Sequence, residues 1–257
     1  MINYETPIEQ YDVNGKTINV KRDDLQGDGV VLPPWAKLTP IEMILKSGEL
    51  DKSIPLIQLS VRASYSGWAL AKLGTDHGYD VKIAYPNSKN FPQANVDKWN
   101  EFDVEVIPLR PNMTSIVLAQ MKKYAREHEY QFLPYGFEHP IYLDYWEKKL
   151  VTYDYDTLVV CAGTPVTCLG MIRGFRGKEI HLVATSSERT VRKRLAKYGI
   201  EDDRVHVHTT PFDFYDEMTE FETPFPCNPY WDKKVFWWIT KNTEKLRGNT
   251  LYWNIGS

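Results

Sequence analysis

Lys21-Arg22-Asp23-Asp24-Leu25, followed by Ala36-Lys37-Leu38 running into Thr39-Pro40-Ile41-Glu42, is the stretch around which the chain arranges itself. Thr17 to Lys21 is rich in β-branched character and predicts a strand. Gly27, Asp28, Gly29, Pro33 and Pro34 then break regular structure. Thr39 suits an N-cap, Pro40 suits the first helical position, and Glu42 follows Thr39 at the capping-box spacing. The pattern predicts Lys37 on a turn just ahead of a helix N-terminus. Such a terminus disfavours added positive charge, and the free amine is the form of lysine that attacks aldehydes to make a Schiff base. Taken alone, Lys37 is one of 31 Lys and Arg residues, most of them solvated surface charges.

The 257 residues suit one or two domains with a substantial core. An apolar fraction of 42% and a charged fraction of 25% are ordinary for a globular protein. The net charge of −3 implies no broad pull on nucleic acid or membrane, and the basic cluster from Arg189 to Lys197 reads as a solvated helix face. Cys161, Cys168 and Cys227 make no paired framework and no metal-binding spacing, which fits a reducing, cytoplasmic setting. No signal peptide and no apolar run of about 18 residues is present, so no membrane span is expected.

Strand and helix signals alternate along the chain. Strands are expected at 54–59, 81–85, 104–108, 132–133, 157–161, 180–184, 205–208 and 250–253. Helices are expected at 64–77, 92–102, 114–127, 142–150, 166–175, 188–198 and 233–245. This alternation predicts an α/β fold with parallel sheets. His206 and His208 alternate on one strand face; without a carboxylate cluster they read as surface residues, not metal ligands.

Two further stretches carry chemistry. In Thr157-Leu158-Val159-Val160-Cys161-Ala162-Gly163-Thr164-Pro165-Val166-Thr167 a buried strand enters a small-residue turn and then a helix. Backbone N–H groups at such a helix start bind anions, and Thr164 and Thr167 add hydroxyl donors. In Ser60-Val61-Arg62-Ala63-Ser64-Tyr65-Ser66-Gly67 another strand opens into a helix, with Ser64 near the N-cap.

Thr6-Pro7-Ile8, the Lys21-Arg22-Asp23-Asp24-Leu25 segment and Lys37, taken in order, resemble the N-terminus of fold-type II pyridoxal-phosphate enzymes. The nearest branch is the aminocyclopropane-carboxylate deaminase, D-cysteine desulfhydrase and cysteine synthase group. The resemblance continues through Leu133 to Pro140, Pro226 to Lys234 and Leu251 to Ser257, and so spans nearly the whole chain. It implies a two-domain, tryptophan synthase β-like architecture with parallel-rich twisted sheets. Residues 1–39 and 151–257 would form the larger cofactor domain and residues 40–150 the smaller α/β domain, with the active site between them.

The resemblance also implies residue roles. Lys37 would carry pyridoxal 5′-phosphate covalently and move a proton once released. Gly163, Thr164, Val166 and Thr167 would cup its phosphate, although Pro165 and Val166 stand where the deaminase branch has Gly and Ser. Ser64 and Ser66 would hold the substrate carboxylate, with Ser64 also catalytic. Tyr65 replaces the asparagine that contacts the cofactor ring, and would bind the cofactor there by stacking or through its own hydroxyl. Tyr135 would face the substrate, Tyr215 would be catalytic, Asp213 would be a candidate partner for the pyridine nitrogen, and Ser257 would touch the cofactor. No metal is expected.

The implied function is a lyase or deaminase acting on an amino-acid-like substrate, in a cytoplasmic homodimer. One alternative is a decarboxylase of an amino-acid-modified pyrimidine in phage DNA hypermodification, with a modified nucleotide or DNA as substrate; the 8 Trp and 16 Tyr suit a large flat ligand. A second alternative is a ligand-binding relative without catalysis.

Overall fold

The computed structural model describes residues 6–25, 33–62 and 64–255, without the side chain of Trp35. In chain order it contains β1 (Ile8–Val13), β2 (Lys16–Arg22), α1 (Trp35–Lys46), β3 (Leu56–Leu59) and α2 (Ser66–His77). There follow β4 (Val81–Pro86), α3 (Gln93–Asn100), β5 (Val104–Leu109), α4 (Thr114–Glu127), β6 (Gln131–Phe132) and α5 (Pro140–Leu150). The remainder is β7 (Thr157–Ala162), α6 (Val166–Gly174), β8 (Glu179–Ala184), α7 (Glu188–Lys197), β9 (Val205–Thr209), α8 (Asp232–Lys241) and β10 (Thr250–Asn254). Two compact units result, residues 1–36 with 143–257 and residues 37–142. Those boundaries lie slightly N-terminal of the expected 39/40 and 150/151.

The first unit holds a six-stranded sheet in the order β1-β2-β10-β7-β8-β9. Strands β2, β10, β7, β8 and β9 are parallel, and β1 is antiparallel to β2. Strands β7 and β10 are buried along their whole length, as strands covered on both faces must be. Helix α8 lays Val235, Phe236, Trp238 and Ile239 against Ile18, Val20, Val159, Val183 and Tyr252 of the sheet. Strand β1 was not expected from sequence. Its residues are half exposed, so the apolar signal is weak. The Asn14-Gly15 pair, with φ of 54° and 77°, makes the tight hairpin turn that joins it to β2.

The Lys21-Arg22-Asp23-Asp24 segment ends β2 as a buried polar knot. Lys21 donates to the Thr6 carbonyl. Arg22 pairs with Glu9 and with Asp24. Asp23 accepts from the Thr6 hydroxyl and from Trp253 Nε1, each at 2.6 Å.

The second unit holds a four-stranded, all-parallel sheet in the order β5-β4-β3-β6. On one face, Ile57, Leu59, Ala84 and Ile107 pack against Val117, Met121 and Ala125 of α4. On the other face, α2 comes so close that a β-carbon on Gly67 would stand 2.8 Å from Ser60 Oγ and 2.9 Å from the Trp99 ring.

Helix α1 corrects the expected start at Thr39. It begins at Trp35, directly after Pro34, so Lys37 lies within its first turn and not on a preceding turn. Pro40 is inside the helix. It is tolerated one turn in, where it removes one intrahelical bond, while Ala36, Leu38, Ile41, Ile44 and Leu45 bury the apolar face that holds the helix in place. Helix α2 likewise starts at Ser66, two residues after the expected Ser64.

Candidate active site

In the second unit, the half-buried Lys37 donates from Nζ to the hydroxyl of Tyr142 at 2.9 Å. Its ammonium also lies 5.5 Å from the centroid of the Tyr142 ring. Tyr142 is fully buried and stacks on Phe137 with centroids 5.9 Å apart. The lysine is thus held by a rigid partner 105 residues away in sequence. Tyr142 was not singled out in sequence, because a tyrosine at a helix start carries no local signal of its partner.

Ser64 and Ser66 come together at the start of α2, their hydroxyl oxygens 2.8 Å apart. Ser64 Oγ also accepts the Ser66 N–H at 3.2 Å. Two hydroxyls bonded to each other have one O–H left to donate. Tyr65, between them, lies 6.4 Å from the Trp68 ring. Tyr135 sits in a short 3-10 turn, half-buried beside the α4 core.

In the first unit, β7 delivers Gly163-Thr164-Pro165 into α6. A β-carbon on Gly163 would meet Thr185 Oγ1 at 3.3 Å and the Trp231 ring at 3.8 Å, and its carbonyl accepts from Ser186 Oγ at 3.2 Å. Thr167 is nearly buried in the first turn of α6. The N–H of Val166 turns back onto the Thr164 carbonyl at 2.8 Å, which engages the backbone donor that a phosphate contact would use. Pro165 has no N–H to give.

Other expected site residues lie elsewhere. Tyr215 is 56% exposed, its ring edge-on to Phe214. Asp213 is exposed and offers its carbonyl to the buried Lys234 at 2.6 Å. Ser257 lies outside the described residues. His206 and His208 do share a face, but not as surface residues. His208 Nε2 meets Nδ1 of the buried His181 at 2.8 Å, and its ring packs 4.4 Å from Trp238. Burial pushes the pKa of His181 and of His208 down to about 4. Among the described residues no group of histidine, cysteine or acidic side chains is arranged to hold a metal.

The chain has the fold of the fold-type II pyridoxal-phosphate enzymes. The solved structure of an ACC deaminase homologue matches it with a TM-score of 0.73, covering 99% of this chain and 90% of that one at 16% identity. That of O-acetylserine-dependent cystathionine β-synthase from Helicobacter pylori matches with a TM-score of 0.72, covering 97% and 91% at 14% identity. Among curated proteins, the glycyl-dTMP PLP-dependent decarboxylase of Pseudomonas phage M6 is 24% identical, and the alignment covers 100% of both chains. No family model matches.

Proposed function

We propose that this chain is a pyridoxal-phosphate-dependent lyase, and that its reaction is decarboxylation of an amino-acid-modified thymidylate. The fold, the phage relative of equal span and the placement of Lys37 support this together. The single observation that carries it is Lys37 in the first turn of α1 with its amine held on a buried phenol.

The residues fit the cofactor. The Gly163–Thr167 turn lies at the carboxyl end of a buried parallel strand and at the start of a helix, where phosphates bind. Its donors are the backbone of Gly163 and Thr164 and the hydroxyls of Thr164 and Thr167. Val166 is left out, since its N–H is engaged within the turn. Tyr215 and Asp213, both exposed, are also left out. When bound, pyridoxal phosphate supplies an electron sink for the pair left on a carbon when one of its bonds breaks.

This chain's own groups supply the rest. Lys37 would hold the cofactor through its Nζ and, once released, would return a proton to the substrate carbon from that atom. Tyr142 fixes the direction in which that amine points. The Ser64–Ser66 pair gives its one remaining O–H to the substrate carboxylate, and Tyr65 faces the substrate at the same turn. A homodimer in a reducing cytoplasm belongs to the same proposal; three buried cysteines in no disulfide accord with it, and sedimentation of the pure protein tests the dimer. Among the described residues no helix is long and apolar enough to cross a membrane.

The test is chemical. The full chain is loaded with pyridoxal phosphate, reduced with borohydride and mapped by mass spectrometry. Label on the peptide containing Lys37 is expected; label on another lysine overturns the assignment. Release of carbon dioxide from glycyl-modified thymidylate, and not from free glycine, then separates decarboxylation of a nucleotide from chemistry on a free amino acid.

A further inference from the structure

The start of α2 carries more anion donors than one substrate carboxylate needs. Lys98, on α3, sets its Nζ 4.1 Å from the centroid of Trp68, in the first turn of α2. The side chain is half-buried, and among the described residues its ammonium pairs with no carboxylate. Glu101, whose charge reaches it, stays beyond ion-pair distance. Burial holds the Lys98 pKa below its ordinary value.

Beneath the same turn lies a second unspent donor. Ser60 is fully buried, its hydroxyl has no hydrogen-bond partner, and it points at Gly67, the second residue of α2. Gln58, two residues earlier and so on the same face of the strand, is also fully buried with neither amide atom bonded. Buried polar groups are almost always satisfied. Here a desolvated cation lies against Trp68 and an unpartnered hydroxyl against the adjacent Gly67, in the first turn of one helix, whose own partial charge adds to theirs.

The donors can be apportioned. The Ser64–Ser66 pair has one O–H to give, enough for one carboxylate oxygen. A simple amino acid brings no second anion to engage Lys98 and Ser60. A substrate with two anionic groups does. We propose that Lys98, with Ser60 beneath it, receives the phosphate of a nucleotide substrate, and that Tyr65 lies against its base. This rests on the proposed function and assigns the residues that hold its substrate's phosphate, whether the nucleotide is a monomer or lies within a polynucleotide.

The test is binding by the full chain loaded with pyridoxal phosphate, titrated calorimetrically with thymidine, thymidine 5′-monophosphate, an oligothymidylate and glycine. The wild type should bind the monophosphate roughly ten- to a hundred-fold more tightly than thymidine, the range of a charge-assisted contact. Lys98→Gln should remove that preference, Lys98→Arg should keep most of it, and glycine binding should stay unchanged in both. Tighter binding of the oligothymidylate with the same Lys98 dependence also supports the proposal and marks a polynucleotide as the source. An unchanged preference in Lys98→Gln overturns it, as does an equal loss for glycine, which would give Lys98 to the carboxylate. Should Lys98→Gln fail to fold, Ser60→Ala serves instead: a several-fold drop in the preference is expected, and none overturns the proposal. Failure of borohydride labelling at Lys37 with an intact Lys98-dependent preference would defeat the lyase reading and leave this site standing.

Discussion

The carboxyl ends of β2 and β3 treat buried polarity in opposite ways. At the end of β2, Lys21, Arg22 and Asp23 are each at most 5% exposed, and every one has partners within the chain. At the end of β3, Gln58 and Ser60 are fully buried and have none. The first arrangement is scaffolding: removing one member leaves its neighbours buried and unpaired. The second leaves buried donors and acceptors with no partner in the chain. The difference teaches where function lies. The charged motif that first draws the eye holds the sheet together, and the proposed phosphate site sits beside plainer residues.

The largest expected effect isolates the proposed reactive amine from the scaffold. Lys37→Ala should abolish covalent capture of pyridoxal phosphate and lower turnover on the order of a thousand-fold or more, with the melting temperature little changed. Full activity in this variant would erase the distinction between reactive and structural lysines.

Breaking the knot should act the other way. Asp23→Ala strands the Thr6 hydroxyl and the Trp253 N–H and removes the negative charge that Lys21 feels, and should cost about 3–5 kcal/mol of stability in urea titration. A cost below 1 kcal/mol would mean that the network is dispensable and the contrast false.

Acid sharpens the comparison with a third buried polar group. His181 and His208 have folded pKa values of about 4 against an ordinary 6.5, so the unfolded chain binds their protons first. Their stabilisation is full above pH 6.5 and is lost as pH falls toward 4. Burial pushes the Asp23 carboxyl the opposite way, up to about 6 from 3.8, so that group favours folding as pH falls through the same range. With two histidines against one aspartate, the melting temperature should fall between pH 7 and pH 5. His208→Gln should flatten that slope, as differential scanning calorimetry would reveal; an unchanged slope assigns it elsewhere.

The smallest effect is the most discriminating. Gln58→Leu removes two unpartnered polar atoms and should change stability by less than about 1 kcal/mol, in either direction. A loss of several kcal/mol would show that Gln58 belongs to the scaffold after all.

The α/β alternation was legible because buried parallel strands such as Thr157 to Ala162 are nearly continuous apolar runs and helix stops such as Gly78 are local signals. The capping-box pattern that placed Lys37 ahead of a helix was real in sequence but overruled by packing, which begins α1 at Trp35. Strand β1 was missed because the Asn14-Gly15 turn was passed over and its strand has one solvent-facing side. The contacts of Tyr142 and Lys98 were not legible, because they are made with distant partners, Lys37 and Trp68, and no short-range pattern encodes such pairings.

The place of β10 has a consequence for the order of events during synthesis. It lies between β2 and β7, and Trp253 completes the bond to Asp23 across 230 residues. Until that strand has left the ribosome, β2 has no parallel neighbour and the charges at its end lack one of their partners. Residues 37–142, whose strands all pair among themselves, face no such wait. The half of the molecule that carries Lys37 can therefore be ordered while the half with the Gly163–Thr167 turn is still an incomplete sheet. Loop closure over so long a separation makes the final insertion slow compared with the local pairings, and a chaperone that shields open strand edges would act at that stage.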